Sequence, residues 1–141
     1  MVTQIKEYSS AQAIAEALEK ELSEAKSTLG EYLRKLDEIR DLAEKSKKVR
    51  ELVMKLAGKR SPTESQSEIT VGNLNIVLDA NPFHESAVIE SVVRSYQERL
   101  LELQKVRESL KWLDQLGDTE GLKYIVLENE GIPERILFKL S

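Results

Sequence analysis

Two long apolar stripes at helical spacing, separated by a short β-branched run, organise this chain. Leu22, Ala25, Leu29, Tyr32, Leu36, Ile39 and Ala43 follow one another at alternating steps of three and four, and Leu103, Val106, Leu110 and Leu113 repeat the rhythm. That alternation averages about 3.5 residues, the repeat of a left-handed coiled coil. The first stripe predicts a helix over 10–57, free of proline, opened by the capping-box pair Ser9 and Gln12 and stopped by Gly58. At about 1.5 Å per residue it would be roughly 70 Å long, the length of a coiled-coil arm. Its seam shifts after Ala43 to Val49, Val53 and Leu56, a step that locally overwinds a supercoil.

Residues 61–67 (SPTESQS) read as a polar loop, and 68–79 (EITVGNLNIVLD) as strand. Gly72-Asn73 can turn Ile69–Val71 back on Leu74–Leu78 as a hairpin; one strand with a glycine bulge competes with that reading. Asn81 is a suitable N-cap and Pro82 a suitable first residue for a second helix over 82–116, ended by Gly117. The stripe of that helix is broad, from Val88 and Val92 to Leu113, flanked by Ile89, Val93 and Leu101. The tail, 122–140, is a β-hairpin about Glu130-Gly131, apolar on both faces: Tyr124 and Val126 on one, Ile125 and Leu127 on the other. A two-stranded ribbon cannot cover both faces, so it is expected to join a larger sheet, from other subunits, or to lie between helices. Residues 1–8 are mixed, either a short strand or a frayed lead-in.

The fold expected is mainly α, in one elongated domain over 1–141. It is a long antiparallel helical hairpin, a coiled coil, with a short β-hairpin between the helices and a second one at the C-terminus. The first helix outlasts the second by about 12 residues, roughly 20 Å of rise, an overhang that the tail hairpin or another chain must cover.

Charged residues make up 33% of the chain and aromatics 5%, a balance that suits solvated helices with narrow seams better than a thick core. Such seams call for a partner chain, so a homo- or hetero-oligomer through helices and hairpins is expected. The net charge of −4 argues against a general nucleic-acid or membrane binder. The absence of cysteine excludes disulfides and thiol chemistry. Neither a signal-peptide core nor a membrane-spanning run is present, and a cytoplasmic location is the default.

No motif carries catalysis. His84, the only histidine, lies at a helix start without metal-ligand spacing and reads as an exposed first-turn residue. The carboxylates alternate with lysines as helix faces require. There is no phosphate-binding loop and no nucleophile elbow. No cofactor is expected. Trp112 is expected to pack under the tail hairpin. One charge cluster stands out: Lys45, Lys47, Lys48, Arg50, Lys55, Lys59 and Arg60, against Glu44 and Glu51. It reads either as a solvated face or as a patch for nucleic acid or an acidic protein.

The segment Thr70-Val71-Gly72-Asn73-Leu74 with Ile76-Val77, followed by a coiled-coil helix, resembles the V-G-x-L hairpin of beta-type prefoldins. The terminal hairpin at 122–140 has no counterpart in such a subunit. The resemblance implies a holdase co-chaperone whose β-elements build a hub, whose helix tips hold unfolded proteins, and which has a chaperonin as a possible partner. The tips here are Ile14, Ala17, Leu18, Leu113 and Leu116, with Val126 and Phe138 of the hairpin as further protein-interaction residues. The function expected is therefore a non-enzymatic oligomeric interaction protein. The alternative is a dimeric nucleic-acid-associated or regulatory coiled coil using 45–60.

Overall fold

The computed structural model describes residues 2–57, 68–77, 81–115 and 121–140. The protein is mainly α, with two long helices and two small antiparallel sheets. In chain order the elements are β1 (Thr3–Tyr8), α1 (Ala11–Ala57), β2 (Glu68–Val71), β3 (Leu74–Val77), α2 (Pro82–Asp114), β4 (Leu122–Asn129) and β5 (Ile132–Leu140). Two compact units divide it, one of residues 1–29 with 95–141 and one of 30–94. The predicted helix stops Gly58 and Gly117, the loop 61–67, and Leu78, Lys59, Arg60 and Leu116 lie outside the described residues.

The first unit is a three-stranded sheet of order β1-β4-β5, covered on one face by helix. Its core joins Ile14, Leu18, Leu22 and Ala25 of α1 to Leu103 and Leu110 of α2 and to Tyr124 and Val126 of β4. The four α1 positions step by four, four and three, one face of a helix. On β4, buried residues alternate with exposed or half-buried ones from Lys123 to Asn129, as a strand covered on one side requires. The third strand comes from the chain's own N-terminus and not from another subunit: Thr3 to Tyr8 pair in register with Asn129 to Tyr124. Its sequence, TQIKEY, is too mixed to announce a strand; the ladder offered by β4 makes it one.

The turn Glu130-Gly131 has φ of 55° and 78°, the signature of a two-residue type I′ hairpin turn. Glutamate is an unusual occupant of that conformation, and tertiary contacts hold it there. The Glu130 N–H donates to the Val2 carbonyl (2.8 Å), its carboxylate accepts from the Val2 N–H (3.0 Å), and its carbonyl accepts from Arg99 (2.5 Å). A Cβ at Gly131 would stand 3.1 Å from the Arg99 guanidinium, which would have to shift slightly; it is the positive φ that favours glycine there. Farther along, the register shifts between Leu127 and Glu128, placing Pro133 opposite Glu128. An edge strand at a bulge is where a residue without an N–H is tolerated.

At the start of α1 the cap is Ser10, not Ser9. Its hydroxyl accepts from the Ala13 N–H at 3.1 Å, and its carbonyl accepts from Ile14.

In the second unit β2 and β3 form the hairpin reading of the 68–79 segment, with Val71 opposite Leu74 and Gly72 at φ 60°. The N-terminus of α2 is capped by Asn81, whose side-chain oxygen accepts from the N–H groups of Phe83 (2.9 Å) and His84 (3.1 Å). His84 is half-buried and returns the bond, its Nδ1 accepting from the Asn81 N–H at 3.2 Å. It thus takes the reciprocal place of a capping box, which corrects its reading as a merely exposed residue. Leu36, Ala43 and Val93 are buried, and Arg40 pairs with Glu90 at 2.9 Å.

Two substitutions test this account by urea unfolding. Leu103, fully buried, lies at the centre of the core, and Leu103→Ala is expected to cost about 2–5 kcal/mol. Gly30 is within α1 with open space where a Cβ would stand, so Gly30→Ala is expected to stabilise by about 1 kcal/mol. A destabilised Gly30→Ala would mean that α1 is not regular helix there.

Candidate functional site

Three features of the described residues could act: a buried polar cluster, a groove bridged by an arginine, and open apolar faces. The cluster lies where β1 meets β4. Glu128 is on the helix-facing side of β4 and is almost fully buried. The Tyr8 hydroxyl donates to its Oε1 at 3.1 Å, and Lys6 approaches its Oε2 at 3.4 Å. A buried carboxylate is stable only when so satisfied. Tyr8 is pushed up to about 12, first by burial and then by the Glu128 charge, its hydrogen bond to Glu128, and the Glu21 charge. The cavity beside the cluster holds only about 20 Å³, room for roughly one water. Tyr8 and Glu128 therefore form a structural clasp, with no space for a substrate. Sequence reasoning missed the clasp because its members are 120 residues apart.

The groove, about 420 Å³, is lined by Glu21, Glu24, Thr28, Ser95, Tyr96 and Arg99 among others. Arg99 spans it, paired to Glu21 at 3.1 Å and donating to the Glu130 carbonyl. The guanidinium is thereby engaged in holding the β4–β5 turn. Among the described residues no group of His, Cys, Asp and Glu side chains could hold a metal ion, and no helix is long and apolar enough to cross a membrane.

Apolar surface is the more distinctive property. In the β2–β3 hairpin, register puts Ile69 opposite Ile76 and Val71 opposite Leu74, all four on one face. They are 48%, 40%, 57% and 67% exposed. On α1, Val49, Leu52, Val53 and Leu56 form an i, i+3, i+4, i+7 face and are all exposed. The tail hairpin, one of the two covers expected for this overhang beside another chain, builds the first unit's sheet. Trp112 is 72% exposed, which corrects its expected packing under that hairpin.

The other sequence-based candidates fall in different places. Ile14, Leu18 and Val126 are buried in the first unit's core, so in this structure they present no surface to a client. Leu113 is half-buried against the core. Phe138 is half exposed on the edge strand, its ring edge-on to Tyr124 at 5.2 Å. Lys45, Lys47 and Lys48 are exposed on α1 and Arg50 is half-buried. Compared with known proteins, the chain matches no family model, no curated protein and no solved structure.

The clasp makes a pH prediction. Folding raises the affinity of Tyr8 for its proton, so its contribution is present below about pH 10 and lost as pH rises toward 12. Wild type is expected to lose stability over that window more steeply than Tyr8→Phe, read as urea midpoints. Parallel pH profiles would show that folding does not raise the pKa of Tyr8.

Proposed function

We infer that this chain is a non-enzymatic interaction protein that assembles with partner chains through the β2–β3 hairpin, its two helices forming an antiparallel coiled-coil hairpin. One observation carries the reading. The hairpin has a wholly apolar face of Ile69, Val71, Leu74 and Ile76 open to water. An isolated two-stranded hairpin is marginal, and burying four such side chains stabilises an assembly by several kcal/mol. Support for the coiled coil comes from the Glu19–Arg107, Glu21–Arg99 and Arg40–Glu90 pairs, whose α2 partners fall in number as the α1 partners rise. The exposed face Val49, Leu52, Val53 and Leu56 favours a protein partner over nucleic acid at the basic stretch, as does the net charge of −4.

A prefoldin-like holdase is the specific form that the Val71-Gly72-Asn73-Leu74 resemblance favours. Ile14 and Leu18 are taken up by the core, so exposed Trp112 would supply client-holding surface at that end of α2.

The test is mass by light scattering together with suppression of aggregation of a chemically unfolded protein. Wild type is expected to be oligomeric, and Ile69→Asp with Leu74→Asp to fall to a smaller species with unchanged helicity. Trp112→Ser is expected to weaken suppression at high salt without changing mass. A mass unaffected by the hairpin changes would refute assembly through β2–β3, and absent suppression would refute the holdase form alone.

A further inference from the structure

The seam expected to shift after Ala43 is, in the structure, a second face of α1. Leu42, Lys45, Val49, Leu52 and Leu56 step by three, four, three and four, one residue out of phase with the buried Leu36 and Ala43. One residue is about 100° of helix, so the apolar rhythm runs on a separate face. Val53 widens it, and Leu42, Val49, Leu52, Val53 and Leu56 are each more than half exposed. A contiguous apolar stripe of this kind marks an interaction surface. From Leu42 to Leu56 the charges in and beside it are basic. Lys45 stands in the seam between Leu42 and Val49, and Lys48 and Lys55 flank it at the positions just before Val49 and Leu56. All three are exposed, and among the described residues no ion pair engages them. On the opposite flank Ser46 and Val53 are uncharged. Glu44, Lys47, Glu51 and half-buried Arg50 occupy the heptad positions turned away from the seam, and Glu38 and Asp41 close it at its N-terminal end.

We propose that this face docks an amphipathic helix of another protein, one with aspartate or glutamate along its apolar seam. The proposal names a partner's chemistry, so it rests on the interaction-protein reading, though not on the β2–β3 hairpin. Charge complementarity selects the occupant. In paired helices the residues flanking the seam meet those of the other helix and set partner choice, so Lys48 and Lys55 call for facing carboxylates. Lys45, inside the seam, calls for one more, because a buried ammonium without a counter-charge is costly. A second copy does not supply them from the same face. Parallel and in register, it sets Lys45 on Lys45. Antiparallel over the full stretch, it matches Asp41 with Lys55 but sets Lys48 on Lys48 and leaves both Lys45 groups facing Leu52. A nucleic acid would satisfy the lysines and leave the five apolar side chains in water. Two heptads bury less than the roughly 800 Å² per partner of a standard interface, so the affinity is on the order of tens of micromolar.

The probe is a synthetic helix about four heptads long, with leucine in its seam and glutamate on both flanks, and its binding is read by fluorescence anisotropy. Its own like charges oppose pairing with itself. The full chain carries Ile69→Asp and Leu74→Asp, so that the hairpin face takes no part. Saturable binding is expected, about tenfold or more tighter than that of the same helix with lysine on its flanks. Lys48→Glu with Lys55→Glu is expected to invert that preference, a gain for the lysine probe that a merely unfolded variant would not show. Val49→Asp with Leu56→Asp is expected to abolish binding of the glutamate probe, with unchanged circular dichroism. No binding at hundreds of micromolar, equal binding of the two probes, or indifference to Val49→Asp with Leu56→Asp would each overturn the proposal. So would tighter binding of a DNA duplex than of the glutamate probe, or a mass of the chain that falls on Val49→Asp with Leu56→Asp, the sign of a second copy on this face. Probe binding by a chain whose hairpin-intact form is monomeric refutes the hairpin reading and leaves this one standing; an oligomer through the hairpin without probe binding does the reverse.

Discussion

A strand that is hydrophobic on both faces cannot stand in a two-stranded ribbon, and the first unit is built around that constraint on β4. Tyr124 and Val126 need cover on one side, and the apolar faces of α1 and α2 supply it through Ile14, Leu18, Leu22, Leu103 and Leu110. The free backbone edge of β4 needs a ladder, and the N-terminal segment supplies it through six consecutive pairs. The chain's first strand is therefore stable only once its last hairpin exists.

Polar contacts then fix what the apolar ones leave loose. β1 contributes little to the core, yet Glu128 gathers Tyr8 and Lys6 from it, and Glu130 binds Val2 at the end of the ladder. The left-handed backbone of Glu130 costs on the order of 1 kcal/mol or more. Its three tertiary hydrogen bonds offset that cost and explain why a glutamate stands where asparagine or glycine is usual. Arg99 extends the same network to Glu21, so the hairpin turn, α1 and α2 are tied by one guanidinium.

The function proposed for this chain rests on exposed surfaces. The cavity at the buried carboxylate has room for about one water, the 420 Å³ groove is spanned by an arginine that serves the fold, and a groove of about 450 Å³ beside β5 is lined by Val106, Leu110, Leu113 and Ile136. What stays open is apolar: the hairpin face of the second unit, the face of α1 near its end, and the outer face of the first unit's sheet. Surfaces of that kind are unusual on a monomer that works alone, and they make association the natural activity to test.

By itself the sequence determined both helices and both hairpins of the described residues, because their signals are local. A 3–4 apolar rhythm, the Asn81-Pro82 cap and the Gly72 and Gly131 turns each act within a few residues. It also determined that the tail hairpin needed cover. The tertiary structure decided the rest: that residues 3–8 are a strand, that Ile14 and Leu18 are core and not an exposed tip, that Trp112 is open, and that Glu128 is buried in a clasp with Tyr8. Each of those depends on partners more than 100 positions away in sequence, or on which of two apolar faces a helix happens to cover. No local pattern encodes either, because the energy that settles them appears only when the ends of the chain meet.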